Sequence, residues 1–495
     1  MFRKNLALQF IILSLIFSGL TGCTMGGPGN NQVIPPPEKE TVRILTNWDE
    51  MTSVDEAYKD ANSIGITLAQ ENSHKEIFFN KPKSEKTLKL TCGNHIIEAK
   101  AYSGINGTGK VIGTVELGVT VLANHFNEME ISFNPAKNHS IPLAIAASGF
   151  LLALKKDGTV WAWGNNSSAL FGEGNEENSN LPMQIKGLTG IIYLAAGTDH
   201  CLVLTKDKTV LAWGHNQYGQ LGNGSNEDSK IPVLVEGVTD VQSIAAGNGF
   251  SLALKNDGTL WAWGINEDGQ LGDGTNKNSN IPVQVAEISD IIAISAGNKH
   301  VLALTKDKTL YAWGSNQEGQ LGDERTDDNN LPVPVNNMEN VRTFTAGGFH
   351  NIAIKDDNTF WLWGSNQYGQ LGSSAGNNNN TKSNAPLQLT GLSDIIGVSA
   401  GEFHSLALKS NGTVYSWGYN KYGQLGNGNT ENNAFPAIIK DLEGCIGISG
   451  GQNYTVVLKS DGSVWSWGAN SSGALGDGTE TDSSTPVEVK ELSLK

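Results

Sequence analysis

Residues 244–285, IAAGNGFSLALKNDGTLWAWGINEDGQLGDGTNKNSNIPVQV, contain four strand-sized segments separated by turn-forming residues. Asp257-Gly258 lies between two alternating segments, a hairpin signal because a type I′ turn needs positive φ at both central positions. Trp261 and Trp263 are two residues apart, so an extended strand places both on one face as a broad apolar plate. One unit cannot bury that plate alone and needs a neighbour.

The neighbours are copies of the same unit. Trp-Gly recurs at Trp163, Trp213, Trp263, Trp313, Trp363, Trp417 and Trp467, at intervals of 50, 50, 50, 50, 54 and 50 residues. The four extra residues lie in Ser373 to Asn384, whose asparagine run marks a surface loop. Asp157-Gly158, Asn411-Gly412 and Asp461-Gly462 hold the hairpin position in other copies. The loop Gly269-Gln270-Leu271-Gly272 also recurs, with glycines for tight turns and a leucine to plug the gap between units. The first copy reads Ala169-Leu170-Phe171-Gly172, so altered packing is expected at the ring junction. The fold class expected is all-β: a seven-bladed β-propeller of four-stranded blades over 141–495, preceded by a small β-sandwich-like domain.

The ordered set Ala-Gly-x-x-His-x-Leu-Ala-Leu, Asp-Gly-Thr, Trp-Ala-Trp-Gly, Asn-x-x-Gly-Gln-Leu-Gly and Pro-Val-x-Val closely resembles the regulator of chromosome condensation repeat family. The resemblance covers residues 141–495 and implies a seven-bladed propeller with four antiparallel strands per blade. Eukaryotic members of that family include an exchange factor for a nuclear GTPase and a chromatin binder. Plant ultraviolet photoreceptors share the fold but use Gly-Trp-Arg-His-Thr motifs that this chain lacks. A secreted bacterial inhibitor of β-lactamases is a precedent for protein capture. Kelch propellers have units of similar length but carry a diglycine and separated Tyr and Trp.

Ahead of the repeats, Met1-Phe2-Arg3-Lys4 and the mostly apolar stretch Leu6 to Leu20 have the arrangement of a secretory signal. Leu20-Thr21-Gly22-Cys23 resembles the lipobox of bacterial lipoproteins, which implies a leader over 1–22, a diacylated Cys23 and membrane attachment without crossing. A Gly/Pro/Asn-rich tether follows over 23–40. Alternating segments at 96–102, 110–115 and 128–133 suggest an Ig-like or transthyretin-like sandwich over 41–136, although Val54 to Ala69 could hold a helix. The expected location is the bacterial cell envelope, outside the cytoplasm.

A net charge of −16 among 495 residues disfavours nucleic-acid binding, which normally needs a basic stripe. Cys92, Cys201 and Cys445 form no CxxC and read as buried thiols. His200, His300, His350 and His404 are equivalent, with Phe150, Phe250 and Tyr454 in the other copies. One histidine per blade is too dispersed for a coordination shell, so they read as structural and no metal is expected. Asp273, Asp323 and Asp477 read as solvated turns rather than calcium ligands. No nucleophile, P-loop or zinc-protease motif is present, so neither an enzyme nor a cofactor is expected.

Function is then expected where the copies differ. After Ala-Gly stand Thr198, Asp199, Asn298, Lys299, Phe349 and Phe403; after Trp-Gly stand Tyr218, Tyr368, Tyr419 and Tyr422. These are the expected rim for capturing a protein partner. The alternatives are a glycan or cell-wall partner, and inhibition of an envelope or secreted enzyme.

Overall fold

The computed structural model describes residues 149–155, 157–372 and 381–494, together with the backbone of nine strands between residues 13 and 146. The chain divides into two compact units, Met1–Asn138 and His139–Lys495. In the first, Glu85–Thr91, Lys39–Thr46, Leu13–Phe17 and Glu128–Ile131 form one antiparallel sheet. Ser73–Asn80, Ser63–Gln70, Gly93–Tyr102 and Val111–Val121 form another. The alternation of Ile64, Ile66 and Leu68 wins over the helix that Val54 to Ala69 could have held: Ser63–Gln70 is a strand. Leu13–Phe17 falls inside the stretch read as a leader. The strand Lys39–Thr46 takes in the last two residues of the expected tether; Cys23, the rest of the tether, Cys92 and the packing implied by a sandwich lie outside the described residues.

The second unit is a ring of seven four-stranded antiparallel sheets, each built from one continuous stretch of chain. Blade 1 runs through Ala144–Ala146, Phe150–Leu154, Val160–Gly164 and Ser179–Gln184. Blade 7 runs through Cys445–Gly450, Tyr454–Lys459, Ser463–Gly468 and Ser483–Ser493. The first strands of successive blades approach one another and line the axis. The outermost strands are free edges, and each carries a proline: Pro182, Pro232, Pro282, Pro332, Pro386, Pro436 and Pro486. A residue without an N–H cannot extend a ladder, which blunts the edges against pairing with other chains.

Among the described residues no strand is exchanged between the first and last blades, so every seam is closed by side chains together with loop backbone bonds, such as Gly478 N to Asn180 O at the closing seam. The seven Trp-Gly tryptophans are fully buried. Each indole N–H donates, at 2.8–3.0 Å, to a carbonyl of the preceding blade: Trp213 to Leu170, Trp263 to Gln220, Trp313 to Gln270, Trp363 to Gln320, Trp417 to Gln370 and Trp467 to Gln424. Trp163 closes the ring on Ala474 at 2.9 Å. Close approach explains the glycines: a Cβ on Gly272 would lie 2.6 Å from Trp313 Nε1, and one on Gly264, at φ +109°, would lie 2.3 Å from Gly249 O. Leu221, Leu271, Leu321, Leu371 and Leu475 are buried against the same seams, and Leu425 is buried at the equivalent position.

Four seams add a polar relay. His200 Nε2 lies 2.8 Å from Ser251 Oγ of the next blade, His300 2.7 Å from Asn351 Oδ1, His350 2.9 Å from Ser405 Oγ, and His404 3.0 Å from Thr455 Oγ1. Ser251, Asn351, Ser405 and Thr455 each donate onward to the carbonyl that receives the tryptophan. Their protons being committed there, each accepts from the imidazole, so Nε2 carries the hydrogen. In the other seams Phe150, Phe250 and Tyr454 face Cys201, Val301 and Leu151; no imidazole takes part, although the Cys201 thiol still reaches the Leu170 carbonyl that receives Trp213, at 3.6 Å. The altered packing expected at the ring junction therefore occurs on both sides of blade 1, because Leu170 and Ala474 stand where the other copies have glutamine. At the closing seam the Tyr454 hydroxyl donates to Phe150 O.

Burial pushes the pKa of His300 and His404 down to about 4 and that of His350 to about 3. A proton on Nδ1 would meet no acceptor of the chain. The unfolded chain binds these protons first, so stability is complete above about pH 6.5 and falls as pH drops toward about 4, by roughly 3 kcal/mol per ring. Native precedent at the Phe250–Val301 seam suggests the control. Chemical denaturation between pH 7 and 4 should show the double variant His300→Phe/Asn351→Val losing clearly less stability than the parent; identical pH slopes would contradict this.

Candidate functional site

In an antiparallel blade the loop joining the first two strands and the loop joining the last two leave at the same end. All ten rim candidates therefore lie on one face of the ring, and all are partly exposed. The longer loops are held from within. A fully or largely buried asparagine heads each one, and its Oδ1 accepts the N–H five residues on at 2.8–3.0 Å, from Asn166 to Asn470. The loop glutamines accept locally as well, Gln370 Oε1 from Tyr368 N and Gln424 Oε1 from Tyr422 N. Residues following Trp-Gly are thus displayed on a rigid frame.

The frame gathers five of the six aromatic candidates. Phe349 stacks on Phe403 at 5.2 Å, Tyr368 meets Phe403 edge-on at 5.3 Å and Tyr419 at 4.5 Å, and Tyr419 meets Tyr422 at 6.4 Å. They come from four loops of blades 5 and 6. Tyr218 lies apart, against Gly249 on the seam between blades 2 and 3. Lys299 pairs with Asp268 at 2.9 Å, a surface ion pair worth at most about 1 kcal/mol.

Thr198 and Asn298 line the mouth of the axial channel, a cavity of about 290 Å³. Repeat-by-repeat reading missed Glu402 there. The signal was available: the residue after Ala-Gly, or after Gly450-Gly451 in the last copy, is Thr198, Asn248, Asn298, Gly348, Glu402 and Gln452 in turn, different in nearly every copy. Backbone bonds step from blade to blade around this mouth, Asn248 N to Asn298 O, Asn298 N to Gly348 O, and Gly348 N to Gly401 O. Glu402 lies across Gly348, with Oε1 3.5 Å from Asn298 Nδ2. Burial raises the Glu402 carboxyl, opposed by hydrogen bonds from Gln452 and Asn298. Tyr419 is also raised, first by burial and then by Tyr422, Tyr368 and Glu402, which ties the aromatic patch to the channel mouth.

Asp199, His200 and Ser251 have the order of a hydrolytic triad, and the geometry argues against that chemistry. His200 Nδ1 is 3.8 Å from Asp199 Oδ1, His200 and Ser251 are fully buried, and Ser251 Oγ is committed to Gln220 O. The equivalent slot holds Asn351, which is no nucleophile. Burial would raise Asp199, but His200, His215 and Gln220 outweigh it and hold the carboxyl low. The carboxylate oxygens of Asp273 and Asp477 accept from Thr275 and Thr479, and Asp323 holds Arg325 at 2.7 Å. Cys201 and Cys445 are buried free thiols.

A family model described as the RCC1-like domain matches residues 239–495, and models of the regulator of chromosome condensation (RCC1) repeat match 157–204, 207–254 and 191–220. A chain in the crystal structure of Kap60 bound to yeast RCC1 (Prp20) is 24% identical with a TM-score of 0.63, covering 75% of this chain and 91% of that one. Prp20p from Saccharomyces cerevisiae, described with its binding properties to Gsp1p and histones, is 25% identical with a TM-score of 0.61, covering 71% and 88%. Human WBSCR16 is 23% identical with a TM-score of 0.61, covering 67% and 94%. The E3 ubiquitin-protein ligase HERC2 of Homo sapiens is 43% identical over 56 residues, which is 11% of this chain and 1% of that relative's length.

A Cβ on Gly348 would lie 2.8 Å from Glu402 Cγ and 2.9 Å from Glu402 Cα, so side-chain rotation alone cannot relieve it. Gly348→Ala is expected to cost about 1–3 kcal/mol in urea denaturation. It should also lower the Tyr419 phenol slightly, burial, Tyr422 and Tyr368 being left in place, read by ultraviolet titration against Tyr419→Phe. Unchanged stability and titration would show that Glu402 does not lie across Gly348.

Proposed function

The chain belongs to the RCC1-like domain family, and on that premise we propose that it is a non-enzymatic scaffold that captures a protein partner on the face bearing the aromatic patch. One observation carries the proposal: Phe349, Tyr368, Phe403, Tyr419 and Tyr422, from loops that differ between copies, converge on two adjacent blades while remaining partly exposed. Rigid aromatic side chains with little entropy to lose are favoured interface anchors. Prp20p, described with its binding to Gsp1p and histones, supports a binding role for such rings. The sealed His200–Ser251 pair supports the non-enzymatic reading.

Leu20-Thr21-Gly22-Cys23 supports the rest of the proposal, a ring tethered through a lipidated Cys23 at the bacterial cell envelope. A glycan partner is the second reading, favoured by the stacked Phe349–Phe403 pair on the face where Asn298 and Gln452 line the channel mouth.

Immobilised full-length chain should capture a defined protein from envelope fractions, lose it in Phe403→Ser/Tyr419→Ser, and keep it in Lys206→Ala/Lys306→Ala on the opposite face. Retention by the patch variant would overturn the site. Binding on a glycan array that the same variant abolishes would replace the protein partner with a sugar.

A further inference from the structure

The two faces of the ring differ in charge. On the face bearing the patch, acidic side chains outnumber basic ones in the loops by roughly five to one, whereas on the opposite face the two signs come closer to balance. The distribution within that face is uneven. The blade 5 loop closest to Tyr368 has no acid among its described residues, and the blade 6 loop holding Tyr419 and Tyr422 has only Glu431. The flanking loops are acidic: SNQEGQLGDERTDD at 315–328 in blade 4 and ANSSGALGDGTETD at 469–482 in blade 7. An aromatic centre with a charged surround has the anatomy of a protein interface, and here the surround is predominantly acidic, with Arg325 and Lys421 as its basic members. Glu402, next in the chain to Phe403, adds a carboxyl at the inner margin, where it lines the channel mouth.

We propose that the segment docking on this patch is basic, with a lysine or arginine laid on the Tyr368–Phe403–Tyr419 faces beside Glu402 and further basic residues meeting the loops of blades 4 and 7. This rests on the protein-capture reading and specifies the partner's chemistry. An aromatic face attracts a cation through its quadrupole, and Glu402 supplies the counter-charge. The chain makes the same contact internally on its other face, where Lys155 lies 4.0 Å from the Trp161 ring and Lys459 4.4 Å from that of Trp465. The acidic surround steers a basic segment inward and repels acidic competitors, so partner choice resides in the loops and orientation in the aromatic centre.

The test uses the full chain and a fluorescent peptide in which Lys and Arg alternate with Gly and Ser. A matched peptide carries Gln at every basic position, and a mixed oligosaccharide serves as competitor. Anisotropy should show affinity for the basic peptide falling about tenfold between about 0.05 M and about 0.3 M salt, with the Gln peptide at least tenfold weaker. Phe403→Ser/Tyr419→Ser should weaken the basic peptide at least about fivefold and Glu402→Gln about threefold. Tyr419→Leu, which keeps apolar bulk without the π face, should also weaken it, guarding against an unfolded double variant. Equal binding by the Gln peptide, or indifference to all the patch variants, would overturn the proposal, as would displacement by oligosaccharide alone. If patch variants lose the captured protein but the basic peptide neither binds nor competes, the basic-segment inference fails and protein capture stands. If the peptide binds the patch but no protein is captured, protein capture is what fails.

Discussion

Seven indole N–H groups, each buried and each donated to a carbonyl of the preceding blade, hold the ring together. A buried donor left without its acceptor costs on the order of 1–3 kcal/mol, and a buried tryptophan brings a large apolar area to the same seam. The bond can form only if the preceding blade is in place, so no blade is complete alone. Because every blade is one continuous stretch, the closing seam has no shared strand to rely on. It uses the same device, Trp163 on Ala474, with Tyr454 reaching Phe150.

That constraint separates the residues that build from those free to differ. The tryptophan, the plugging leucine and the buried asparagine repeat because each seam and each loop needs them. The seam histidine can be exchanged, but only as a pair: His200 faces Ser251, whereas Phe250 faces Val301. Positions after Ala-Gly and Trp-Gly make few demands on the seam, so side chains there can diverge, and blades 5 and 6 collect the aromatic ones.

Much of this was legible in the sequence. The blade count followed from Trp-Gly periodicity and the plugging leucine from its position in the glycine-rich loop; Asp-Gly marked the hairpins correctly, but only the glycine of each pair takes positive φ, so the turns are not the type I′ expected. The rim candidates could be named because they break the repeat, and a periodic reading predicts loop position well. It does not predict which loops converge: Tyr218 and Tyr368 hold equivalent positions, yet only Tyr368 has Phe403 and Tyr419 beside it. The histidine partners were hidden because they lie on the next blade, 51 or 55 residues away. Glu402 was hidden by being one acid among many, with its place over Gly348 set by a neighbouring blade.

Hydrogen exchange of the tryptophan indoles in the folded chain, followed by NMR, tests the central claim most directly. Trp163, Trp213, Trp263, Trp313, Trp363, Trp417 and Trp467 should form one strongly protected class. Trp161, Trp261, Trp361 and Trp465, which are half-buried and bond only to the Thr or Ser two residues before them, should exchange faster. Exchange of Trp163 alongside the fast group would show that the ring is open between blades 7 and 1, and the absence of any division between the two classes would contradict the account of the seams.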